Sequence, residues 1–126
     1  MALNWRIGPL ARGLECYRRG EFFEAHEHWE EVWLGLNEPE KSFLQALIQM
    51  SAAFHHLNRG NSAGSISLLK RTLRRLEACS MNFGGVQVPA LRLEIRHWVR
   101  CLEDVDWQRP NRTPQITLND ELHKSS

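Results

Sequence analysis

No apolar run in this chain approaches the ~20 residues needed to cross a bilayer, and the first eight residues carry no apolar core of the signal-peptide kind. A membrane or secreted protein is therefore not expected, and a reducing cytoplasm is the default compartment. Cysteine is scarce: Cys16, Cys79 and Cys101 are odd in number, far apart and outside any CxxC pair. Neither a disulfide framework nor a zinc knuckle is indicated. There is almost no excess of either charge, and a net charge of +1 does not suit general nucleic-acid binding. The 126 residues suffice for one domain with a real core and no staples.

What is present is concentrated in the stretch Gly20–Leu36, GEFFEAHEHWEEVWLGL. On a helix turning about 100° per residue, Phe22, Ala25, Trp29, Val32, Trp33 and Leu36 form an apolar face that Phe23 and Leu34 extend. His26 and Glu30 fall inside this arc and are expected to be buried with it, in need of partners. Glu24, His28 and Glu31 fall opposite and Glu27 at the edge. If the face is buried, Trp29 and Trp33 rank among the least exposed residues.

The rest of the chain reads as four further helices. Gly8-Pro9 opens the first, with a Leu10, Leu14 and Tyr17 stripe, and Arg19-Gly20 closes it. A third, from Pro39 to about Arg59, is apolar over most of its circumference and is expected at the centre, with a polar strip through Lys41, Gln45, Gln49 and His56. A fourth runs from about Ser62 to Cys79, burying Ile66, Leu69, Leu73 and Leu76 under an outer side of Lys70, Arg71, Arg74 and Arg75. A fifth starts at Pro89 and buries Leu91, Ile95, Trp98 and Leu102. Beyond Asp106 the prolines predict an extended tail, docked by Ile116 and Leu118, with the last residues loose.

Shifting the chain by forty positions lays Arg19-Gly20 over Arg59-Gly60, Trp29 over Leu69 and Trp33 over Leu73. Tyr17, Gly20, Phe22 and Ala25 also occupy the small and aromatic positions of a tetratricopeptide hairpin. Two units are too few for an open solenoid. The expectation is an all-α, five-helix, single-domain bundle over 1–106, built on two tetratricopeptide-like hairpins plus a capping helix, with a tail over 107–126. The same shift lays His26 over Ile66 and Glu30 over Lys70, so packing alone does not call for a histidine.

His26 and Glu30, four apart, meet on one helix face and make half of a metal site. His55, beside Leu44, Ile48 and Ser51 on the third helix, is the candidate third ligand, with Trp33 and Gln45 in support. The metal would be divalent, zinc or similar, and Glu27 would be the base if the site is hydrolytic. The segment His26-Glu27-His28-Trp29-Glu30 lacks the second histidine of HExxH, and only Glu94–His97 has the ExxH spacing, facing outward. No Cys, Ser or Lys has an evident activating base beside it in sequence. The alternative is a non-enzymatic interaction module in which the His–Glu pair is a structural hydrogen bond.

His26-x-x-x-Glu30-x-x-Trp33 resembles the HxxxExx(W/Y) motif of the domain of unknown function 309 family, small helical proteins of bacteria and archaea. The lead-in Gly20–Ala25 and the later Phe43-Leu44-Gln45 and Ala52–His55 are similar to that family as well. The resemblance runs from about Tyr17 to Leu76. It implies a helical fold and a metal at the motif, without an established activity. A protein partner and a homodimer stay open.

Overall fold

A computed structural model describes residues 3–123. The expected looseness of the chain end falls, for 124–126, outside the described residues. Among the described residues the protein is all-helical, with α1 (Gly8–Arg18), α2 (Phe22–Trp33), α3 (Glu40–Asn58), α4 (Ser62–Glu77) and α5 (Val88–Glu103). Those described residues contain no strand, only an isolated antiparallel bridge between Val86 and Leu118.

Each helix packs on its neighbours in sequence. α3 has the most buried residues, from Phe43 to Leu57, and takes α2 on one side and α4 on the other. The expectation of a central third helix therefore holds. α5 lies against α4, and Trp98 reaches Phe54 of α3 with ring centroids 4.9 Å apart.

The forty-residue repeat is visible as backbone geometry. Gly20 and Gly60 both adopt left-handed φ, +80° and +82°. In each turn the glycine N–H bonds three residues back, to Tyr17 and Leu57, at 3.0 Å. The next N–H bonds five back, Glu21 to Cys16 at 2.8 Å and Asn61 to His56 at 2.9 Å. This is a Schellman ending, and a side chain with Cβ at either glycine would strain it. Asn61 then caps α4 by accepting from the Gly64 N–H at 2.9 Å. Ala25 and Ser65, forty apart, are both fully buried where the helices meet.

α2 buries a narrower face than its wheel suggested. Phe22, Ala25 and Trp29 are buried against α1 and α3, but Phe23 is 49% and Leu34 73% exposed. The covered strip centres on Ala25 and Trp29, and Phe23, Glu30 and Leu34 lie about 120–160° away from it at 100° per residue. Trp33 is half-buried rather than core. It is the last residue of α2, and its ring is covered by Lys41, whose Nζ lies 4.4 Å from the ring centroid. In α4 the buried line is Ser65, Leu69, Thr72 and Leu76, while Ile66 and Leu73 sit at its flank. Thr72 enters the core because its hydroxyl donates to the carbonyls of Ala46 and Leu68, at 3.2 and 3.0 Å.

The tail is a working part of the fold. Pro114, Ile116 and Leu118 are buried, so the docking expected of the last two holds. The Tyr17 hydroxyl donates to the Pro114 carbonyl at 2.6 Å, and Arg18 donates to the Ile116 carbonyl at 2.8 Å. Trp98 Nε1 donates to the Arg112 carbonyl at 3.1 Å. The N-terminal Trp5, absent from the core read in the sequence, is buried, and its Nε1 donates to the Gly84 carbonyl at 2.6 Å. The chain thereby returns from α5 to α1 and covers the side that the helices leave open.

Candidate functional site

α2 carries His26 and Glu30 one turn apart, and their side chains meet: Nε2 and Oε1 are 3.2 Å apart. Burial is where the sequence misled. The His26 side chain keeps 29% of its exposure and that of Glu30 54%. Glu30 lies on the uncovered flank of α2, so it is solvated rather than a stranded carboxylate. The Nδ1 atom of His26 is buried and has no hydrogen-bond partner among the described residues. A buried ring nitrogen without a partner is costly, and it makes His26 the strained member of the pair.

His55 is half-buried on α3, short of the buried side expected of it. It does not join the pair directly. Phe23 packs on both imidazoles, 6.5 Å from the His26 ring and 5.4 Å from the His55 ring, centroid to centroid. His56 lies beside His55 at 6.1 Å. The seam between α2 and α3 is thus topped by one phenyl ring and three imidazoles. Among the described residues no group of three or more His, Cys, Asp or Glu side chains converges to hold a metal ion. The pair fits two positions on an ion, and the triad His26, Glu30 and His55 does not fit as a closed site. Glu27 is exposed, with no ion pair or side-chain hydrogen bond among the described residues. Trp33 and Gln45 lie together in a separate cleft with Lys41.

One pairing escaped the sequence. Cys101 Sγ lies 3.6 Å from His97 Nε2, one turn earlier on α5. The signal was the same four-residue spacing that singled out His26 and Glu30. The three thiols are free, and burial pushes those of Cys16 and Cys79 up. Those two therefore stay protonated and inert near neutral pH.

The exposure of the His–Glu pair fixes its energetic weight. A solvated i,i+4 pair contributes about 0.3–0.5 kcal/mol, against ~3–5 kcal/mol for breaking a buried one. Glu30→Leu is therefore expected to change stability by less than about 1 kcal/mol. The cycle with His26→Ile, the repeat-equivalent residue, should give a coupling below about 1 kcal/mol in denaturant unfolding. A coupling of several kcal/mol would show that the pair is desolvated after all.

Fold and site together define a small all-helical domain with a surface-accessible His–Glu pair at a helix seam. Residues 10–68 match the family model described as "Domain of unknown function (DUF309)". The family recognised from the α2 motif is thus the one this segment matches. An "Uncharacterized protein" of Aquifex aeolicus (strain VF5) is 34% identical over 78 residues, which cover 61% of this chain and 23% of that protein. The match thus spans less than a quarter of the length of this curated relative. No helix among the described residues is long and apolar enough to cross a membrane.

Proposed function

We propose that this protein binds a divalent cation at the α2–α3 seam through His26 and Glu30, in an open site with two protein ligands. The observation that carries the reading is the 3.2 Å separation of Nε2 and Oε1 on a partly exposed helix face. Two donors about 2.0–2.2 Å from a tetrahedral zinc ion lie about 3.3 Å apart, so the pair is spaced for one ion as well as for a hydrogen bond. The remaining positions go to water or to a donor of a bound partner. His55, whose ring packs on Phe23, is not part of this two-ligand site. Nothing in the geometry supports Glu27 as a base, so hydrolysis is not part of this reading.

The second reading is an interaction module in which the pair is a surface hydrogen bond. It is supported by the repeated helix–glycine–helix units, which resemble a tetratricopeptide pair. Thermal melting of the metal-free full chain with zinc, manganese, nickel and iron(II) separates the two. Metal at a hundred times its dissociation constant should add ~2.7 kcal/mol, raising the midpoint by roughly ten degrees. His26→Ile and Glu30→Leu should each remove the rise. No shift with any of the four metals would leave the interaction module as the better reading.

A further inference from the structure

The end of α2, the start of α3 and the end of α4 enclose a surface cleft of about 350 Å³, lined by Trp33, Glu38, Lys41, Ser42, Gln45 and Arg75. Its hydrogen-bonding capacity is unbalanced. Glu38 is its one carboxylate, and both oxygens are engaged. Oε1 accepts from the Ser42 backbone N–H at 2.7 Å, and Oε2 accepts from the Ser42 hydroxyl at 2.8 Å. Those bonds, with Arg75 and Lys41 nearby, hold the Glu38 carboxyl below the usual carboxylate range, so it stays an acceptor at neutral pH.

The donors have no such partners. Neither Lys41 nor Arg75 has a carboxylate within ion-pair distance among the described residues. Lys41 instead rests on the Trp33 ring. The indole Nε1–H of Trp33 is buried without an acceptor. Two cations around one engaged carboxylate leave a deficit of acceptors in the cleft. An anionic oxygen group corrects that deficit, and a guanidinium grips such groups in two-point fashion.

We propose that this cleft binds the phosphate or carboxylate group of a small ligand, held between Arg75 and Lys41 with the Trp33 indole as its wall. The proposal needs no metal and does not depend on the His26–Glu30 reading. It is tested in chelator-treated buffer, so failure of one reading leaves the other standing. The protein, labelled with nitrogen-15, is titrated at constant ionic strength with inorganic phosphate and, separately, with succinate. The indole N–H resonances are followed, with that of Trp33 assigned as the one missing from Trp33→Phe.

A saturable shift of the Trp33 resonance is expected with at least one of the two anions, and which anion acts assigns the group to phosphate or carboxylate. Arg75→Gln and Lys41→Gln should each weaken binding about tenfold. Arg74→Gln, on the exposed side of α4 and outside the cleft, should leave binding unchanged. No saturable shift with either anion overturns the proposal. Equal weakening by Arg74→Gln also overturns it, since that is the mark of diffuse surface charge.

Discussion

Trp29→Ala should cost the fold ~3–5 kcal/mol, lowering the melting midpoint by roughly ten to twenty degrees. Trp29 is fully buried, with its ring centroid 6.4 Å from Trp5 and 6.0 Å from Tyr17. Its Nε1 donates to the Leu10 carbonyl at 3.2 Å. Alanine would empty the space where α1, α2 and the N-terminal segment meet, and would delete that bond. Trp33→Ala, four residues on, should cost only about 1–2 kcal/mol, because part of the ring faces water and Lys41 covers another part. Denaturant unfolding of the two variants is the measurement. Equal costs would show that α2 is rotated from the orientation described.

Gly13→Ala should be destabilising by ~1–3 kcal/mol, as overpacking is. The sign is the test, because in an ordinary helix interior alanine is better than glycine by roughly 0.5–1 kcal/mol. Gly13 is buried on α1, and a Cβ there would overlap the Trp29 indole. The large ring of Trp29 therefore requires the smallest residue opposite. The second unit of the repeat holds the complementary solution: forty residues on, Gly13 becomes Ala53 and Trp29 becomes Leu69, both fully buried. Gly13→Ala combined with Trp29→Leu should thus cost less than the sum of the single changes, by about 1 kcal/mol or more. Additive costs would mean that the two positions do not share one space.

Helix number, the central third helix, the repeat and the docking of Ile116 and Leu118 were legible because each rests on a local signal. Periodicity marks a buried stripe, and glycine in a left-handed turn marks an ending. Trp5 was not legible, since an isolated aromatic ahead of the first helix carries no period. The width of the α2 face was not legible either. A wheel gives the direction of an apolar arc, but only the neighbours determine how much of it they cover. Phe23 and Leu34 look like core on the wheel and lie outside it, because α1 and α3 both approach from the Ala25 side. The same limit governs the site. The i,i+4 rule placed His26 and Glu30 together correctly, since both ride on one helix. It said nothing about His55, whose distance from them is set by packing between helices and by where the Phe23 ring settles. Glu38 and Arg75, which share a cleft with Trp33, lie far apart in sequence and give no joint signal there.

The return of the tail brings the two ends of the described chain to one place: Arg6 pairs with Asp120 at 2.5 Å, and the Arg18–Glu121 pair lies alongside at 2.8 Å. Topologically the helices are an open series from α1 to α5, and the tail closes that series into a circuit. A circuit of this kind has no privileged starting point, so its ends can be joined and new ones opened at a surface connection without parting any pair of packed helices. It also has a single doorway, where a flanking segment would enter and leave within a few residues of itself. The domain can therefore be spliced into a loop of another protein while leaving the host's own chain path almost undisturbed.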